Sequence, residues 1–218
     1  MALAGPRRVA LGISSHVGWG AVVAVSGPVG APSVAAKRRV VMATTFETGA
    51  AFHMAQKLSV AEAEALVRSS GEAFLAAARE GLAALVAELR EAGLDPMATV
   101  VLGGLARPLP PLEVILRSHA LVHAAEGELY RRVLARASEA CGVPAALVPA
   151  AGLAGRVAGA AGLPPKRVTA LLAELGRASG KPWTRDRKEA ALGAWLVLAD
   201  RGLLGRPGTG RARSGSGG

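Results

Sequence analysis

Several groups of residues in this sequence have types and spacings suited to chemistry. His119, His123 and Glu126 recur as H-x-x-x-H-x-x-E, with Tyr130 one turn further on. On a helix they share one face, and histidines at i and i+4 can both reach one Zn²⁺. The run has no Glu directly after its first His, and the sequence names no distant third ligand. An amphipathic helix whose polar face carries histidines explains the same pattern. Asp186 and Glu189, three apart, offer paired carboxylates for a divalent cation. Acids in the first turn of a helix are also favoured by the macrodipole alone, and Arg185, Arg187 and Lys188 stand ready to pair with them. Lys166 and Arg167 open a helix, where they can touch phosphate or simply face water. The run Ser14-Ser15-His16-Val17-Gly18 follows a strand and could offer amides to a phosphate. Cys141 reads as a small apolar residue at a helix end rather than a catalytic thiol.

These groups depend on the elements that hold them. Val9–Ser14 is a short apolar strand, Ser15–Gly18 a turn, and Gly20–Ser26 a second strand. A third strand is expected at about Val34–Thr44, completing an antiparallel meander. Thr45–Leu58, which holds His53, reads as either a loop or a short helix. Ser59 and Glu62 form an S-x-x-E capping box ahead of a 3.6-residue apolar stripe that should stop at Gly93 and Pro96. Thr99–Leu102 is a buried strand ending in Gly103-Gly104. A helix follows from Ser118 to about Cys141, and then a strand at Ala145–Pro149. Pro164-Pro165 opens a helix to about Leu175, Arg177–Pro182 reads as a loop, and a deeply packed helix spans Thr184–Ala199. The order β-β-β-α-β-α-β-α-α predicts an α/β fold. Its sheet has five strands, mixed, with a three-stranded antiparallel meander, later strands parallel, and helices packed on it. The expected layout is one domain over residues 1–204 and a disordered Gly/Ser/Arg-rich tail at 205–218.

Composition narrows the function classes. Hydrophobic residues make up 51% of the 218, which excludes a disordered chain; aromatics are 3%, so Ala, Val and Leu must build the core. No apolar run reaches the roughly 18 residues of a membrane span, so no membrane role is expected. Arg7-Arg8 before an apolar run resembles a targeting segment, but polar residues from Ser14 interrupt it, and a strand and turn fit better. A single cysteine, Cys141, excludes an internal disulfide framework and suits the cytoplasm. The net charge of +10 suits DNA or RNA as partner, although Arg201, Arg206, Arg211 and Arg213 place part of it in or beside the tail.

The element order, with several local patterns, resembles the ribonuclease H-like fold and its RuvC-type Holliday-junction resolvase branch. Leu11-Gly12-Ile13-Ser14 is similar to that family's L-G-I-D, and Val100-Val101-Leu102-Gly103 to its apolar strand ending in Glu. Gly162, Lys166 and Val168 resemble its Gly and catalytic Lys. Asp186-Arg187-Lys188-Glu189-Ala190-Ala191-Leu192 resembles D-x-x-D-A-x-A. The resemblance covers roughly Val9–Leu198. It implies two-metal phosphodiester cleavage, with Mg²⁺ or Mn²⁺ on hard carboxylate oxygens, and a homodimer.

The sequence departs from that pattern at two acids. Ser14 stands where the family has Asp, and Gly103 (Gly104 if the register slips by one) where it has Glu. Asp186, Glu189 and Lys166 are then the remaining catalytic candidates, with His119, His123 and Glu126 as a separate metal set. The reading favoured is a degenerate RuvC-like protein, without a cofactor, that binds nucleic acid or protein. The alternatives are an active metal-dependent nuclease with a rearranged site, using Mg²⁺, Mn²⁺ or less naturally Zn²⁺, and a scaffold or small-molecule protein of the same fold superclass.

Overall fold

A computed structural model of the chain describes residues 7–104 and 107–200. The expected tail at 205–218 lies outside them. Strand β1 (Arg7–His16) is the middle of a five-stranded sheet. It pairs antiparallel with β2 (Trp19–Ser26), which pairs antiparallel with β3 (Ser33–Val41). On its other side β1 runs parallel to β4 (Leu94–Leu102), and β4 parallel to β5 (Ala145–Val148), giving the order β3-β2-β1-β4-β5. This is the mixed α/β sheet that the element order predicts.

Val9 through Ser14 are buried without interruption, because both faces of the strand are covered. Val9, Leu11, Ile13, Val22 and Val40 face one core, shared with helices α3 (Val60–Glu91) and α5 (His119–Ala140). Ala10, Val23, Val25 and Val100 face the other, shared with α6 (Leu153–Ala161), α7 (Pro165–Ser179) and α8 (Arg185–Ala199). The period of two along β1 therefore puts Ser14 on the α8 side.

Helix α8 reaches the sheet through the absence of a side chain. A methyl carbon on Gly12 would stand 2.8 Å from both the Ala190 carbonyl carbon and the Ala194 nitrogen, and nearer still to the Ala190 carbonyl oxygen. Only glycine lets the helix backbone lie on β1 in this way. Residues Ala190 to Val197 are all buried as a result.

The sequence reading needs correction at several ends. β4 begins at Leu94, not Thr99, and includes Pro96, where its pairing with β1 shifts register between Val9 and Ala10. A bulge of this kind accommodates a proline that donates nothing to the ladder. Helix α7 continues to Ser179, so Arg177 is helical and the loop is shorter. The stretch after Thr44 holds two short helices, α1 (Phe46–Gly49) and α2 (Ala51–Ala55). Another short helix, α4 (Leu112–Leu116), precedes α5, and α6 is additional to the expected order.

Candidate nucleic-acid interface and histidine cluster

The carboxyl ends of β1 and β4 hold Ser14 and Gly103, and Asp186 reaches the end of β1 from α8. One row crosses the whole sheet: Arg39 pairs with Ala21, Ala21 with Ser14, Ser14 with Leu102, and Leu102 with Val148. Ser14, 7% exposed, is therefore a neutral hydroxyl on the central strand, on the face that α8 covers.

Asp186 lies one helical turn before Ala190, the residue seated on Gly12, so it projects towards the end of β1. There its Oδ1 is 3.0 Å from His16 Nε2, an ion-pair contact without hydrogen-bond alignment. His16 stacks on Trp19 with centroids 4.3 Å apart, and the Arg39 guanidinium lies 4.2 Å over the other partner's ring, Trp19. Glu189 Oε1 accepts from Arg185 Nε at 2.8 Å, and that pairing holds the Arg185 pKa above its usual value. Thr184 starts this helix by accepting from the Arg187 amide.

Gly103 turns the other way. Its φ is +106°, and a Cβ there would point at α5, 2.9 Å from Arg131 Cδ. Gly104 faces open space. Arg131 is held by Glu128, whose Oε2 accepts from its Nε at 3.3 Å and Nη2 at 3.2 Å, while Oε1 accepts from Arg132 Nε at 2.7 Å. Gly103, Gly104, Arg107, Glu128 and Arg132 line an open cleft of about 540 Å³. Basic groups outnumber acidic ones at this strand end. Lys166 is exposed in the first turn of α7, and its neighbour Arg167 is paired with Glu174 at 3.3 Å.

A second cluster forms between α2 and α5. Thr45 and Thr48 cap α1 reciprocally, and Tyr130 donates to the Gly49 carbonyl at 2.6 Å, fixing the bend into α2. Helix α2 has no side-chain cap of its own. Instead Glu126, 1% exposed, reaches its N-terminus and accepts from the Phe52 amide at 3.0 Å. The same Oε2 lies 3.2 Å from His53 Nδ1. Burial pushes the Glu126 carboxyl up, against the pull of His53 and the amides. Ring nitrogens of His53, His119 and His123 all lie within 4.8 Å of one another, and His119 and His123 meet Nε2 to Nε2 at 3.1 Å. Desolvation, then the neighbouring His119 and His53 charges, lowers the His123 pKa.

The structure thus joins His119 and His123 as their spacing suggests, and places Glu126 behind His53. It joins Asp186 to the end of β1 through His16. Trp19, Arg39 and Arg131 are not singled out by the sequence, which names His16 only within the run Ser14–Gly18 and His53 only within Thr45–Leu58. The His16–Trp19 pair follows from a two-residue hairpin turn, which brings its flanking residues face to face. His53 gives no local signal, because its partners come from a segment far along the chain. Trp195 donates its Nε1 to Val29 O at 3.0 Å, and Cys141 sits at the end of α5.

No protein-family model and no curated protein matches the sequence. Solved structures do match in shape. Thermus thermophilus RuvC in complex with a Holliday junction substrate superimposes with a TM-score of 0.52 and 12% identity, covering 88% of this chain and 93% of that one. The fold is RuvC-like. A second Thermus thermophilus RuvC structure matches at 11% identity with a TM-score of 0.48. At this identity the RuvC-like likeness speaks for the ribonuclease H-like fold alone. Among the described residues, no helix is long and apolar enough to cross a membrane.

Proposed function

We propose that this protein binds nucleic acid, with branched DNA as the preferred form, at the carboxyl edge of β1 and β4, and does so without cutting it. The observation that carries the proposal is the charge of that edge. Two divalent cations need several hard anionic oxygens between them. Here β1 supplies the hydroxyl of Ser14, and β4 supplies Gly103 with Arg131 packed against it. Asp186 and Glu189 remain, one against His16 and one taken by Arg185. This donor set does not fit a two-cation site.

The same edge suits a phosphate backbone. Arg107 and Arg132 line the cleft beside Gly103, and Arg39 lies on the Trp19–His16 stack across the sheet. Guanidinium groups pair with phosphate oxygens and release counterions when they do. Lys166, exposed at the start of α7, is a further cation open to phosphate. The likeness to a RuvC solved with a Holliday junction is the reason for favouring branched DNA. A homodimer acting in the cytoplasm completes the reading.

The test is fluorescence anisotropy with a four-way junction, a duplex and a single strand across a salt series, with Mg²⁺ or Mn²⁺ added and products resolved on a gel. The reading expects the tightest binding to the junction, a steep loss of affinity with salt, and intact DNA throughout. Metal-dependent cleavage that Asp186→Ala abolishes would establish the active-nuclease alternative instead. Absence of binding to any DNA at low salt would favour a scaffold.

A further inference from the structure

The chain has four histidines, and three of them meet at one place: His53 on α2, and His119 and His123 on α5. We infer that they form a mononuclear transition-metal site, Zn²⁺ being the best match, with Glu126 orienting His53 from behind.

Spacing is the first support. A tetrahedral ion with metal–nitrogen bonds of about 2.0–2.1 Å holds neighbouring nitrogens about 3.3 Å apart. His119 Nε2 and His123 Nε2 are 3.1 Å apart, one helical turn from each other on α5. The two nitrogens share a hydrogen bond, and loss of its one proton leaves both lone pairs aimed at a common point. The His53 ring comes to 4.6 Å from the His123 ring and 5.8 Å from the His119 ring, each nearly edge-on. A small rotation of three side chains closes the trio on one ion.

Orientation is the second support, and it is independent of the first. A ligating histidine ordinarily gives its other ring nitrogen to a carboxylate or carbonyl, which fixes its tautomer and raises its basicity. His53 Nδ1 lies 3.2 Å from Glu126 Oε2, which leaves Nε2 as its coordinating atom. Glu126 is itself locked by the Phe52 amide. Its other oxygen, Oε1, is buried without a partner. A fully buried carboxylate is costly unless positive charge compensates it. A divalent ion behind His53 supplies that charge through the ring.

The residue types set the metal. Three neutral imidazoles suit Zn²⁺, Cu²⁺, Ni²⁺ and Co²⁺ rather than Mg²⁺, which prefers oxygen. His119 and His123 are exposed, so a fourth position opens to solvent and can take water or an anionic oxygen. The trio takes its ligands from α2 and the first turns of α5, whereas Arg132, which lines the cleft of the proposed DNA edge, lies more than two turns further along α5.

The experiment uses full-length protein without a polyhistidine tag, stripped with chelator. Zn²⁺ binding is followed by calorimetry and Co²⁺ binding by visible absorption. The proposal expects one equivalent bound at micromolar concentration, with intense tetrahedral Co²⁺ bands. H119A and H123A, both at exposed positions, should keep the wild-type melting temperature in chelator and lose roughly 100-fold or more in affinity. E126Q should weaken binding about 10–100-fold while keeping the band pattern. The site is overturned if the wild type binds less than one equivalent. It is equally overturned if H119A and H123A each bind within tenfold of wild type. An unchanged affinity in E126Q removes the orienting role of Glu126.

Discussion

Gly12→Ala is a sharp test of how the fold holds its site. Helix α8 carries Asp186 and Glu189, and it touches β1 through the Gly12–Ala190 contact with no side chain between them. An added methyl would meet the Ala190 carbonyl and the Ala194 nitrogen at 2.8 Å or less, where about 3.2–3.5 Å is comfortable. These are backbone atoms in the buried run Ala190–Val197 of α8, so no rotamer change relieves the clash. Overpacking that side chains can absorb costs about 1–3 kcal/mol, and a rigid backbone neighbour puts this site at about 3 kcal/mol or above. For a chain of this size each kcal/mol lowers Tm by about 2–4 °C, so the variant should melt about 6–12 °C lower. Gly155→Ala is the control. It lies in the exposed first turn of α6 with nothing within 4 Å of the new methyl, and should leave Tm unchanged or slightly raised. Circular dichroism melts of both variants decide the matter. A drop of under about 2 °C for Gly12→Ala would refute the close helix–strand contact, and with it the placement of Asp186 beside His16.

Three further outcomes follow from the same geometry. Tyr130→Phe removes the donor to the Gly49 carbonyl, and should cost about 1–3 kcal/mol as a lower urea midpoint with an unchanged m-value. Arg107→Ala and Arg132→Ala should each flatten the salt dependence of DNA binding by about one unit of slope; unchanged slopes would move the interface elsewhere. The double variant Ser14→Asp with Gly103→Glu should still leave branched DNA uncut in Mn²⁺. Position 103 faces Arg131 on α5, while Ser14 faces α8, so the two new acids would not converge. Metal-dependent cleavage by that variant would contradict this arrangement.

The architecture was readable because its signals are local. The unbroken apolar run of β1, the Ser59–Glu62 capping box and the apolar stripe of α3 each depend on residues a few positions apart. The errors came where local signals mislead. Pro96 reads as a helix stop, yet it sits inside β4 because a register shift spares the ladder its missing amide. Leu153–Ala161 is short and rich in Gly and Ala, so its inward set of Leu153, Val157 and Ala158 is too brief a pattern to declare a helix alone. The site divides the same way. His119 and His123 declare themselves one turn apart, whereas His53 is joined to them only by the packing of α2 on α5. Ser14 and Gly103 were legible as positions, but their opposite facing was not, because it depends on the positive φ at Gly103 and on Arg131 filling the space beside it.

The central claim is that a RuvC-like fold binds nucleic acid here without cutting it. One reaction tests it most directly: a labelled four-way junction, excess protein and Mn²⁺ at low salt, read for complex by anisotropy and for strand length by denaturing gel. The account predicts a salt-sensitive complex whose DNA strands stay full length. Strand cleavage lost in Asp186→Ala, or no complex at any salt, would contradict it.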